Sequence, residues 1–270
     1  VTVDALIDAG NLTEAIGLLG AMVGREPLNF RHRTYLFALL CFGGDYQRAQ
    51  QQLQVMAQEN ETTALAAAYY EKLLRATADR EQVFRKGLLP RFLGEPPAYA
   101  HVYGEALRAL ADGDQAAGAA LLAAGEAQRR RCPVSWNDEA LADLRDADDR
   151  LGPFVELLLD DAYVWVPLEQ VRSIQVGQLS SLRDLFWVPL RVVTAAGAFS
   201  GVMPALYPGS PHSADERARL GQMTLWVDNP HGLSLGLGQR LFASGEHDLP
   251  ALELRRLLVE VPVAAPAASA

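Results

Sequence analysis

The sequence predicts an α+β fold in two parts, helical hairpins followed by a smaller strand-rich domain. Two patterns carry this prediction. Before residue 131, Leu6, Gly10, Ala15 and Leu19 return as Leu40, Gly44, Ala49 and Leu53, each 34 positions on. That is the period of tetratricopeptide-like helical hairpins. Beyond Gly152-Pro153, helical periodicity gives way to short β-branched and aromatic runs cut by glycine and proline, the texture of strands and turns. Within that second part, Val164-Trp165-Val166-Pro167-Leu168 nearly repeats as Phe186-Trp187-Val188-Pro189-Leu190.

The helical half is read as residues 1–131. At each repeat a glycine lets the chain turn tightly, Asn11 or Asp45 offers a capping oxygen, and alanine lets the second helix approach the first. Pro27 separates hairpins, Phe30 to Phe42 carries an apolar face, and Glu61 to Leu74 is alanine-rich with Tyr69 and Tyr70. A degenerate unit is expected around Ala78-Asp79. Pro90, Pro96 and Pro97 break the pattern, and Gly113-Asp114 repeats the turn chemistry. Residues 132–159 are expected to be bridging helices. They include one from Asn137 to Arg150 crowded with Asp138, Glu139, Asp143, Asp146, Asp148 and Asp149.

The strand-rich domain is read as residues 160–261. Strands are expected at Tyr163 to Val166, Val171 to Val176, Val188 to Thr194, Phe199 to Met203, Met223 to Val227 and Leu252 to Val259. Ser213 to Arg217 reads as a short helix or loop, and the Ala/Pro-rich tail 262–270 as disordered.

Composition narrows the function classes. Half of the 270 residues are hydrophobic and 21% are charged, enough to bury a full core. A net charge of -9 repels phosphate backbones, and Arg129-Arg130-Arg131 reads as compensation of a helix end. With no signal peptide and no long apolar segment, the expected location is the cytosol, without membrane insertion. Two cysteines, Cys41 and Cys132, define no disulfide framework, and the two Asn-x-Thr triplets are chance matches.

No cluster reads as catalysis or metal binding. The acids between Asp138 and Asp149 lack a calcium-loop pattern and face Arg145 and Arg150. The five histidines show no ligand spacing. Ser210, His212 and Asp215 lie too close in sequence for triad geometry. Gly232-Leu233-Ser234-Leu235-Gly236 matches the nucleophile-elbow pattern, yet Pro230 precedes it and His247 comes just before Asp248. Gly232, Gly236 and Gly238 match no dinucleotide or phosphate loop, which leaves turn and bulge roles. No cofactor is expected.

The ordered motifs resemble a family. They are Leu39-Leu40-Cys41-Phe42-Gly43-Gly44-Asp45, the run Asp143 to Arg150, Tyr163-Val164-Trp165-Val166-Pro167, Leu182-Arg183-Asp184-Leu185-Phe186-Trp187, and Pro204 to Ser210. Together with Leu220-Gly221 and the glycines ending at Arg240, their order resembles the TagJ/ImpE accessory proteins of bacterial type VI secretion. The resemblance implies a cytoplasmic, non-enzymatic adaptor. It would bind the N-terminal helix of the small contractile-sheath subunit and associate with the sheath-recycling AAA+ ATPase, with no nucleic acid. Contact residues are expected from residue type alone: Trp165, Arg183, Phe186, Trp187 and Tyr207, since aromatic and arginine side chains anchor partners. The alternatives are a small Ser/His hydrolase using Ser210 or Ser234, and a repeat scaffold for an unrelated partner.

Overall fold

The computed structural model describes residues 1–260, so the expected disordered tail 262–270 lies outside the described residues. Five helices lead the chain: α1 (Val3–Asp8), α2 (Leu12–Arg25), α3 (Phe30–Phe42), α4 (Tyr46–Met56) and α5 (Glu61–Lys86). A short strand, β1 (Arg91–Phe92), precedes α6 (Tyr99–Ala111) and α7 (Gln115–Gln128). α1 packs on α2, α3 on α4 and α6 on α7, while contacts of α2 with α3 and α4 with α5 link the pairs.

The repeated residues explain the turns. Gly10 and Gly44 take φ of +79° and +70°, where a side chain is strained, and each joins the two helices of a pair. Ala15 and Ala49 are fully buried between helices, as are Leu19 and Leu53. Asp45 accepts a hydrogen bond from the Arg48 amide, capping α4, and Asp114 caps α7 through the Ala117 amide. Asn11 makes no such bond. At that end Glu216, far along the chain, accepts from the Thr13 amide at 3.0 Å and also contacts its hydroxyl.

α5 corrects the expected degenerate turn at Ala78-Asp79. It runs unbroken for 26 residues, from the Asn60/Thr63 capping box to Gly87 at φ +60°. No glycine or proline interrupts it. Its second half buries Ala76, Thr77, Arg80 and Val83, so packing carries the helix past the repeat boundary.

The strands follow as β2 (Val134–Trp136), β3 (Glu139–Leu141), β4 (Arg145–Asp146), β5 (Phe154–Leu159), β6 (Ala162–Pro167), β7 (Val171–Val176), β8 (Trp187–Thr194) and β9 (Gly197–Pro204). After the short α8 (Glu216–Arg219) come β10 (Thr224–Val227), β11 (Leu235–Gly238), β12 (Leu241–Ser244), β13 (His247–Pro250) and β14 (Arg256–Val259). Nine of them form one sheet in the order β1-β6-β5-β9-β8-β7-β14-β2-β3. β10 pairs with β11, and β13-β12-β4 form a third, small sheet.

Two expectations are corrected here. The described structure has no helix between 132 and 159; β2 to β5 occupy that span. Trp136-Asn137-Asp138-Glu139 is a hairpin, with Asn137 and Asp138 at φ +49° and +72°, a conformation Asn and Asp tolerate better than most residues. The strand expected at Leu252 to Val259 begins only at Arg256, because Ala251–Glu253 forms a 3-10 turn.

Alternation along the strands sends side chains to two cores. Phe154, Leu158, Trp165 and Trp187 join the helices in one continuous cluster. Val155, Leu157, Val166 and Val188 join Phe242 and Leu254 in a second one on the opposite face. Both faces being covered explains the nearly continuous apolar runs. The two tryptophan runs are not paired strands, since β5 and β9 lie between β6 and β8. Each docks a different helix region: Trp165 meets Phe84 at 6.2 Å, and Trp187 meets Phe37 and Tyr70 at 6.1 and 6.0 Å.

Trp187 also donates its indole N–H to Thr77 Oγ1 of α5 at 3.2 Å. Trp187→Ala is therefore expected to lower unfolding free energy by about 3–5 kcal/mol in a urea titration. A variant of unchanged stability would contradict this core role.

Candidate functional site

Of the five residues expected to contact a partner, four are interior. Trp165 and Tyr207 are 0% exposed, Trp187 3% and Phe186 7%. They bind the sheet to the helices and to the β10–β11 hairpin, so the expectation that they form a contact surface is corrected for these four. Their apolar area is worth more in the shared core than at a surface. Tyr207 is further fixed by its hydroxyl, which donates to the Leu241 carbonyl at 2.9 Å and accepts from the Leu241 amide at 3.0 Å. Arg183 alone of the set stays partly exposed, with its guanidinium 4.9 Å from the Tyr70 ring centre.

The densest titratable cluster is buried. Arg80 of α5 donates to both oxygens of Glu156 on β5, at 2.7 and 2.8 Å, and to the Leu206 carbonyl at 2.9 Å. Arg240, between β11 and β12, contacts Glu156 from another side and places Nη1 3.4 Å from Asp146. The Tyr163 hydroxyl donates to the same Glu156 and accepts from the Trp165 indole. Burial pushes the Arg240 guanidinium down to about 10. It raises Asp146 to about 7 against the pull of Arg240, with Asp148 adding repulsion. The neighbouring void, lined by Thr77, Arg80, Trp187 and Tyr207, holds about 20 Å³, room for roughly one water. The cluster is a structural joint with no space for a substrate.

The acidic run is likewise structural. Asp143 accepts from the Arg129 guanidinium and the Cys132 amide, Arg145 pairs with Asp149 at 2.7 Å, and Arg150 pairs with Asp148. Asp148 and Asp149 also accept the Gly236 and Ser234 amides at 2.8 and 2.7 Å, anchoring the glycine-rich strand. Among the described residues, no three His, Cys, Asp or Glu side chains converge as a metal-ligand set. Ser210 is fully buried; its hydroxyl donates to the Tyr207 carbonyl at 2.6 Å and accepts from the Gly238 amide at 2.7 Å. His212 stands exposed, outside that arrangement.

The large opening lies elsewhere, where sequence reading placed no contact. A cleft of about 1160 Å³ runs between α1, α2, α3 and the loop Ser180–Arg183. α2 presents Leu18, Met22 and Arg25 to it, one stripe at helical spacing beside the buried stripe Leu12, Ala15, Leu19 and Val23. α3 presents Phe30, Arg31, Thr34, Tyr35 and Ala38. A second apolar stripe on α2, with Leu18 and Met22 four apart, was the readable signal. The walls are braced: the Tyr35 hydroxyl donates to Asp4, and burial with that carboxylate raises the phenol. Asp184 accepts from the Ser180 and Ser181 amides, each at 2.8 Å, which fixes the loop and aims Arg183.

Comparison with known proteins bears on the whole chain. It is 33% identical, over 94% of its length and 89% of the relative's, to the type VI secretion system accessory component TagJ of Pseudomonas aeruginosa PAO1. The chain belongs to the TagJ/ImpE family. The ImpE protein family model matches residues 138–258. A crystal structure of protein VPA1032 from Vibrio parahaemolyticus superposes with a TM-score of 0.87 at 26% identity, covering 96% of this chain and 97% of that one. In this TagJ/ImpE chain the matched segment supplies Glu156, Asp146, Arg240 and the Arg183 wall, while the helical floor of the cleft lies before it. None of the described helices is long and apolar enough to cross a membrane.

Asp146 makes stability depend on pH. Its folded pKa, about 7, exceeds the ordinary carboxylate value, so the folded state holds the proton more tightly. Its contribution is greatest below the ordinary carboxylate range and is lost as pH rises through about 7. Between about pH 5 and pH 8, the wild type is expected to lose about 1–3 kcal/mol relative to Asp146→Asn in denaturant titrations. Parallel profiles for the two proteins would overturn this assignment.

Proposed function

We propose that the protein is a non-enzymatic cytoplasmic adaptor of bacterial type VI secretion. In this reading it holds the N-terminal helix of the small contractile-sheath subunit in the α1–α3 cleft and associates with the sheath-recycling ATPase. Kinship with TagJ supports the accessory role. The cleft is the observation that carries the helix-holding part. Its volume, about 1160 Å³, exceeds the roughly 300–1,000 Å³ of small-molecule sites. A helix about 10 Å across and rising 1.5 Å per residue would place about ten residues in such a space. Leu18, Met22 and Phe30 offer apolar contacts on a floor made by two adjacent helices, the setting of helix-in-groove recognition. The Ser210 form of the hydrolase alternative has no comparable support, because both acceptor and donor capacity of the Ser210 hydroxyl serve the fold.

The test is a calorimetric titration of the full chain with a peptide spanning the N-terminal helix of the small sheath subunit. Saturable binding in the micromolar range is expected, weakened at least about tenfold by Met22→Asp. Met22 is only partly buried, so thermal stability should stay close to that of the wild type. Absence of binding at several hundred micromolar peptide would overturn the reading.

A further inference from the structure

The cleft departs in sign from the chain that carries it. Acidic side chains outnumber Lys and Arg by 33 to 24. A second depression of about 640 Å³ beside α6 follows that balance, with Glu105, Asp112 and Asp114 around Arg108. The α1–α3 cleft inverts it: Arg25, Arg31 and Arg183 line it with Asp4 as the one carboxylate. Asp4 already accepts from the Tyr35 hydroxyl. Among the described residues the three guanidiniums form no ion pair. Arg25 reaches only the Ala21 carbonyl of its own helix, at 3.4 Å, and Arg183 lies over Tyr70.

The arginines enclosed in the fold, away from the cleft, are held differently. Arg80, Arg129, Arg145, Arg150 and Arg240 are all paired with carboxylates. The cleft therefore gathers unpaired cations around an apolar floor in an otherwise acidic molecule. Such a surface complements a helix whose apolar face is flanked by carboxylates. Nucleic acid is a poor match, since three arginines on a chain of net charge -9 give too little counter-charge for a phosphate backbone.

We infer that the cleft selects an acidic amphipathic helix, with Leu18, Met22 and Phe30 receiving its apolar face and Arg25, Arg31 and Arg183 pairing with its Asp and Glu side chains. This rests on the proposal that the cleft holds a helix, and adds the sign of charge that the occupant carries. Exposed charges of this kind act mainly on association rate and on discrimination between partners. Their attraction is screened beyond about 8 Å at physiological salt, so discrimination is greatest at low ionic strength.

Two synthetic peptides of about 18 residues, five helical turns, separate the possibilities. They share one Leu/Ala face and differ in the polar face, Glu in one and Lys in the other. Titrated into the full chain at low salt and read by fluorescence anisotropy, the Glu peptide should bind at least about tenfold tighter. The gap should close near 1 M salt, where the screening length falls to about 3 Å. Arg25→Glu/Arg31→Glu/Arg183→Glu should reverse the order. The double variant Arg25→Glu/Arg31→Glu should narrow the gap by itself while leaving the Arg183 stack on Tyr70 intact. Equal affinities for the two peptides, or a preference unchanged in both variants, would overturn the charge assignment and leave the helix-holding cleft standing. Failure of both synthetic peptides and of the sheath-subunit peptide would overturn the cleft reading, and this inference with it.

Discussion

Glu156 sits on β5 with no solvent exposure and meets two arginines from different parts of the chain, Arg80 on α5 and Arg240 after β11. Removing three such ions from water costs several kcal/mol each, and only their mutual pairing and hydrogen bonds offset that loss. The pairing exists only when α5 lies in one register on the sheet. A shifted α5 would strand Glu156 beside Arg240 and leave Arg80 buried without a counter-charge. The network thus contributes more to uniqueness of docking than to net stability. From that register follow the Thr77–Trp187 hydrogen bond, the packing of Trp187 on Phe37 of α3, and the position of the loop that leads into β8. The cleft needs all of this, because one wall is helical and the other, Ser180–Arg183, belongs to the sheet half.

The same constraint gives meaning to the free arginines. Several charges of the second half are spent inside the fold: Asp143, Asp148 and Asp149 each join an arginine to backbone amides, and Glu216 reaches across the molecule to the start of α2. The Thr13 hydrogen bonds hold Glu216 below the usual carboxylate range although burial works against them. Against that background, three arginines without ion pairs among the described residues, gathered around one apolar floor, differ from the enclosed arginines Arg80, Arg150 and Arg240.

Much of the architecture was legible in the sequence. The 34-residue spacing marked Gly10 and Gly44 as turns and Ala15 and Ala49 as contact points, because hairpin geometry demands small residues there. Strands β6 to β9 announced themselves by β-branched and aromatic runs. The acidic span Asn137 to Arg150 misled, since its charges looked like a solvated helix face. In fact they serve long-range partners such as Gly236 and Ser234, which no local pattern reveals. Asn137-Asp138 held a hairpin signal that composition masked. The aromatic residues were read as contacts by type, but burial is set by tertiary packing, and the sheet is covered on both faces. The cleft was hidden for the complementary reason: its walls come from residues about 150 positions apart, and only the Leu18–Met22 stripe was local.

The ion pairs at Glu156 fasten the helical half and the sheet into one cooperative body. Native-state hydrogen exchange on the wild type and on Glu156→Gln tests this directly. Amides of α5 and of β5 should exchange with the same free energy in the wild type. In Glu156→Gln both should fall together by about 3–5 kcal/mol, the cost of leaving buried charge unpaired. Exchange of the helices at a distinctly lower free energy than the strands, or a variant indistinguishable from wild type, would contradict it.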